Sequence, residues 1–180
     1  RYPRLEDQEE YVELVRVSRD LHRPWEPKRP QSAPRAASQE AFTTWLKGVD
    51  DPRTEQMLLC QSADGAIVGR FHLNEIVRGA FRSAYMSYWV GAPFAGQGFM
   101  REGMELVLEH AFRTVGLHRV EANIQPANAP SIALAKGAGF RLEGLSERYL
   151  EIAGEWADHE RWAMTTEDWQ KRRSLSGPNS

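Results

Sequence analysis

At 180 residues, with 41% hydrophobic and 27% charged residues, the chain has the length and balance of one globular domain able to bury a sizeable core. A formal net charge of −2 argues against a general nucleic-acid binder, so no direct nucleic-acid contact is expected. No apolar run approaches the ~20 residues that span a bilayer, which excludes a helical membrane anchor from the expectations. The lone Cys60 rules out an internal disulfide framework and fits a reducing, cytoplasmic setting; inside the apolar run MLLC it reads as a buried thiol and not a nucleophile. No signal peptide is visible, and the missing initial methionine points to a trimmed N-terminus.

The segment EDQEEYVELVRVSRDL predicts an amphipathic helix, with Asp7 and Glu10 as a capping box and Tyr11, Leu14, Val15, Ser18 and Leu21 at helical spacing. HRPWEPKRPQSAPRAAS, rich in proline and arginine, predicts a long loop, and QEAFTTWLKGV a short helix. EQMLLCQS, AIVGRFHLNEIV and SAYMSYWV are strand-like runs joined by short turns, hence an antiparallel meander. After the loop GAPFAGQGFM, a stripe of Met100, Met104, Val107, Leu108, Ala111 and Val115 predicts a helix. HRVEANI reads as a further strand and SIALAKGA as a short helix. FRLEGLSERYLEI and ERWAMTT read as a hairpin joined across AGEWADH, and SLSGPNS as a disordered tail.

The loop carries the first chemical signal. Gly96 and Gly98 stand where a strand gives way to a helix, so free N–H groups and the positive end of the helix dipole could hold a phosphate. A dinucleotide-binding turn is one reading, since Glu121 follows roughly 20 residues later. Arg101 occupies the place of its third glycine, however, and APFA separates Gly91 from Gly96. A plain glycine turn without a ligand is the other alternative. The second signal is NAPSIALAKGAGF, in which Asn128 can cap a helix and present its amide to a ligand, with Ser131 three residues on and Gly139-Phe140 after the helix.

Taken together, the order loop, helix, strand, Asn, helix, Gly-Phe resembles the GNAT acetyltransferase superfamily. Its first motif, Gln/Arg-x-x-Gly-x-Gly/Ala, maps onto Ala95 to Met100, with Ala95 and Met100 departing from the pattern at its two ends. RPWEP, IVRGAF, YWV ahead of GQGFM, LHRVEANIQPAN, YLEIAGEWADH and AMTTEDW extend the likeness over almost the whole chain, to the RimJ/RimL branch and its RimJ members. The resemblance implies a single α/β domain over residues 1–173, followed by the tail 174–180. Its sheet would be mixed and mostly antiparallel, with one splayed parallel strand pair and flanking helices. It further implies acetyl-CoA as cofactor, no metal, and transfer to the N-terminal α-amine of a ribosomal protein by a cytoplasmic monomer or homodimer. A small-molecule amine acetyltransferase and a non-catalytic acyl-CoA-binding module stay open as alternatives.

Carried over residue by residue, the family pattern gives the pyrophosphate to the loop Ala95, Gly96, Gln97, Gly98, Phe99 and Met100, and the pantetheine arm to the backbone of Trp89 and Val90. It gives the pantetheine amide to Asn128 and the leaving thiolate to Ser131. The glutamate that serves as base in RimL-like enzymes falls on Leu150, so that role has no direct match here. Glu121 and Glu75 are the alternative bases and Tyr149 a candidate proton relay, with a water chain to bulk as the further alternative. Glu143, Glu147 and Glu151 alternate on one strand and would form an acidic wall for a basic substrate tail, with Glu75 a further acidic candidate.

Overall fold

Helix α1 (Gln8–Val17) buries Tyr11 and Leu14 of the expected stripe, and Ser18 just beyond its end. The expected capping box does not form. The chain enters the helix through a 3-10 turn, Leu5–Asp7, which leaves Asp7 at helical φ and ψ and not in the extended conformation that suits a capping residue. Its carboxylate instead accepts from the Arg1 guanidinium at 2.6 and 2.7 Å and from the Arg4 N–H at 2.6 Å. Glu10 accepts the Ile67 N–H at 2.6 Å and so ties the helix to the sheet. Past Ser18 the chain stays helical into the segment read as a loop, through α2 (Arg19–His22) and a 3-10 turn, Arg23–Trp25, that takes Pro24 in its first turn. The structure, a computed structural model, describes residues 1–27 and 36–175, so the middle of that expected loop lies outside the described residues. Helix α3 (Gln39–Lys47) is capped by Ser38 Oγ, which accepts the Ala41 N–H at 3.1 Å.

Strands β1 (Glu55–Cys60), β2 (Ile67–Val77) and β3 (Ser83–Val90) form the antiparallel meander that their short turns require. Helix α4 (Phe99–Glu109), prolonged by a π-type stretch His110–Thr114, carries the chain back to β4 (Arg119–Ile124), parallel to β3. Their register covers Ser83↔Arg119, Ala84↔Val120 and Tyr85↔Glu121 and then stops. Beyond it β3 stays with β2 as far as Val90, and β4 stays with the last strand as far as Ile124. Each follows its antiparallel partner, and the two part.

Helix α5 (Ala129–Ala138), β5 (Arg141–Ile152), β6 (Glu155–Thr165) and α6 (Thr166–Leu175) complete the chain, with strand order β1-β2-β3-β4-β6-β5. The hairpin connection is shorter than the sequence pattern predicts. Ala153 and Gly154, both at positive φ, make a two-residue turn, and EWADH is already strand. The tail is also shorter at its start. Ser174 and Leu175 belong to α6, whose first turn is set by Thr165 Oγ accepting the Asp168 N–H at 3.3 Å.

One face of the sheet is packed by α4, α5 and α6 around Phe71, Leu73, Met86, Val120, Ala122, Trp162 and Met164. On the other face α1 and α3 cover the β1–β2 end with Tyr11, Leu14 and Phe42 against Leu58 and Ile67. The end of β3 is placed by a close strand approach, since a Cβ on Gly69 would lie 2.3 Å from the Trp89 carbonyl oxygen. Gly69→Ala should therefore push β3 away from β2 and cost about 1–3 kcal/mol. Denaturant unfolding checks this; a variant as stable as the parent would show that the ladder has slack.

Candidate active site

In an antiparallel ladder the N–H and C=O of one residue point to the same side, and neighbours alternate. Gly91 donates its N–H to the Val68 carbonyl at 2.7 Å, so Trp89, two residues back and opposite Arg70, also faces β2. The edge turned toward the gap with β4 belongs to Tyr88 and Val90. This corrects the expectation for Trp89, whose backbone is committed to β2. Its indole packs beside Tyr11 and His22, with the Arg70 guanidinium 5.8 Å from the ring. By the same alternation the Val90 N–H turns to the gap, and its carbonyl oxygen lies 2.7 Å from His22 Nε2.

The strand runs into a loop fixed from two sides. Ala92 donates its N–H to Ser18 Oγ at 2.8 Å, and Gln97 Nε2 donates to the Pro93 carbonyl at 2.7 Å. Gly98 caps α4 at φ +89°, and a Cβ on Gly96 or Gly98 would meet nothing within 4 Å. The glycines thus serve backbone conformation, and the space beside them is open. Among the described residues, the N–H groups of Gly96, Gly98, Phe99 and Met100 have no hydrogen-bond acceptor. Unpaired donors at the positive end of a helix, bordering open space, fit a pyrophosphate. Ala95 is exposed on the same rim, and the Phe99 ring meets Phe94 edge-on at 6.0 Å.

Across the gap, Asn128 Oδ1 caps α5 by accepting the Ser131 N–H at 3.3 Å, which leaves its NH2 group for a further acceptor. Ser131 Oγ lies 3.1 Å from the hydroxyl of Tyr88. Sequence reasoning missed Tyr88, although strand alternation places it on the open edge beside the expected Val90. Its ring rests against Phe71 at 5.7 Å, and burial pushes its phenol above the ordinary value, so the hydroxyl keeps its proton at neutral pH.

The opposite face holds the residues considered for the amine. Tyr149 accepts from Asn123 Nδ2 at 3.1 Å, and burial raises its phenol too. Glu121 accepts from Arg119 Nε at 2.8 Å, so it is already paired with a cation. The same arginine binds Glu143, which Arg141 also reaches at 3.0 Å; hydrogen bonding to Arg119 holds the Glu143 carboxyl down to about 2. The expected wall of Glu143, Glu147 and Glu151 is broken. Bulges between Leu142 and Gly144 and between Ser146 and Leu150 interrupt the alternation that would align the three side chains. Glu75 sits exposed, at φ +49°, in the bulge that ends the regular pairing of β2 with β3. The ring of His72 on β2 has a buried Nε2 without a partner among the described residues, and burial lowers its pKa to about 4, so it is neutral at pH 7.

A family model described as Acetyltransferase (GNAT) domain covers residues 1–141. The chain belongs to the GNAT acetyltransferase family. It is 30% identical over 167 residues to the [ribosomal protein uS5]-alanine N-acetyltransferase of Escherichia coli, spanning 87% of this chain and 81% of that one. It is 35% identical to the probable N-acetyltransferase YjcK of Bacillus subtilis over 107 residues, 59% of each chain. Mycobacterium smegmatis RimJ in complex with CoA-disulfide superposes with a TM-score of 0.85 at 30% identity, covering 100% of this chain and 83% of that one. This GNAT domain is an acetyltransferase whose acetyl donor is acetyl-CoA.

A ligand at 100 times its Kd stabilises the folded state by about 2.7 kcal/mol, so acetyl-CoA should raise the melting temperature. Gly98→Asp adds strain, bulk and negative charge where the donors converge and should remove that increase. A folded Gly98→Asp protein with the full increase would place the pyrophosphate elsewhere.

Proposed function

We propose that this GNAT enzyme transfers the acetyl group of acetyl-CoA to the N-terminal α-amine of a protein, with a ribosomal protein as the substrate class and the cytoplasm as the setting. The observation that carries the reading is the similarity to the E. coli ribosomal-protein-alanine acetyltransferase, which extends over most of both chains. The thioester supplies an activated acetyl group: the amide C–N bond forms, the C–S bond breaks with its electron pair leaving on sulfur, and the surplus amine proton passes to solvent.

The chain's own groups divide the remaining work. The loop N–H groups from Gly96 to Met100 bind the pyrophosphate, and the Val90 N–H and the Asn128 amide hold the arm in the gap. Ser131 offers its hydroxyl to the departing sulfur. Glu121, one acidic candidate for handling the proton, is already held by Arg119. An α-amine needs little help, since its reference pKa is about 7.7–8.0, against about 10.4 for lysine. Glu147 and Glu151, exposed on the β5–β6 hairpin, are left to meet basic residues that follow the substrate's N-terminus.

An unblocked, alanine-initiated basic peptide should accordingly react much faster than its N-terminally blocked form carrying an internal lysine, and faster than spermidine. Its rate at subsaturating concentration should rise with pH, reach half its maximum near the α-amine pKa of about 8 and level off above it. Faster turnover of the blocked peptide or of the polyamine would overturn the assignment.

A further inference from the structure

We infer that Tyr88 is a positioning residue for Ser131, its phenol directing the serine hydroxyl proton so that the two form a relay across the gap between β3 and α5. The inference rests on the role given to Ser131 above and concerns how that role is made possible.

Tyr88 Oη lies 3.1 Å from Ser131 Oγ and 3.3 Å from the Ser131 carbonyl oxygen, and it joins residues 43 positions apart. Among the described residues the phenol has no other hydrogen-bond partner. Asn128 holds the Ser131 backbone from the other side. Each hydroxyl carries one proton and can accept as well as donate, so two arrangements satisfy the pair. In the first, Ser131 donates to the phenol oxygen and the phenol donates to the Ser131 carbonyl. In the second, the phenol turns its proton onto Ser131 Oγ, and the serine proton becomes available to a third group. The exchange takes two O–H rotations and no movement of heavy atoms.

Neither arrangement strands a buried group, because the Ser131 carbonyl lies inside α5 and keeps its helical donor. The second arrangement also makes the better donor, since a hydroxyl that receives a hydrogen bond is polarised by it. An anion placed before Ser131 therefore selects the second arrangement, and an empty site rests in the first. Ser131 alone would have three staggered rotamers for its hydroxyl to explore; Tyr88 narrows that choice.

The test compares Tyr88→Phe, Ser131→Ala and the double variant. Phenylalanine keeps the ring against Phe71 and removes the hydroxyl alone. The measurements are kcat, KM for acetyl-CoA, melting temperature, and the pH at which bound CoA ionises, followed by the ultraviolet absorbance of its thiolate. Tyr88→Phe should lower kcat about tenfold, the scale of one lost hydrogen bond, with KM unchanged within about twofold. It should also raise the pH at which bound CoA ionises. In the Ser131→Ala background the same substitution should change neither quantity by more than about twofold. Equal effects of Tyr88→Phe in both backgrounds would overturn the relay, as would normal kcat and ionisation in Tyr88→Phe while Ser131→Ala is impaired. Should Ser131→Ala itself leave both quantities unchanged, the role of Ser131 fails and the relay fails with it.

Discussion

The short parallel register between β3 and β4 is the constraint on which the site depends. The strands share three residue pairs, from Ser83↔Arg119 to Tyr85↔Glu121, and then separate because each is held by an antiparallel neighbour. Separation leaves backbone N–H and C=O groups of one strand edge facing a gap inside the domain. Such groups are costly without partners, and an extended amide-bearing arm can supply them as an added strand would. The tight passage of Gly69 past Trp89 matters for the same reason, since it keeps β3 with β2 while β4 departs.

The chemistry on the two faces of the sheet differs in kind. On the helical face, Tyr88, Asn128 and Ser131 form a small neutral network of hydroxyl and amide groups, suited to donating toward a developing charge. The other face carries the charges, but Arg119 binds both Glu121 and Glu143, and Arg141 adds a second cation. Hydrogen bonding to Arg119 holds the Glu143 carboxyl well below its ordinary value, so it is a poor proton acceptor near neutral pH, and Glu121 is occupied by the same guanidinium. An acceptor amine of modest basicity is the substrate that such a site can use without a strong base.

Most of the architecture was legible in the sequence because it rests on local signals. Strand-like runs with short turns between them pointed to the meander, the stripe from Met100 to Val115 to α4, and the paired glycines marked the loop. What was not legible depends on partners distant in the chain. Glu10 is drawn from its capping role by the Ile67 N–H, and Asp7 by Arg1 and Arg4. The acidic wall was read from strict alternation, which two bulges in β5 cancel. Trp89 and Val90 were read together, although a ladder gives adjacent residues opposite edges. Tyr88 acquires its meaning from a contact with Ser131 that no spacing rule reveals. The α6 start was a missed local signal, since Thr165 and Asp168 have the spacing of a capping pair.

We propose that the gap beside β3 and the N-terminus of α4 form one continuous cofactor site. Backbone amide NMR of the labelled protein during addition of CoA tests it most directly. The amides of Gly96, Gly98, Phe99, Met100 and Val90 should move together and saturate at one concentration, with Trp89, whose N–H faces β2, moving less. Shifts gathered instead in the apolar cleft between β1 and α4, around Leu58, Leu106 and His110, with the loop amides unmoved, would contradict the account.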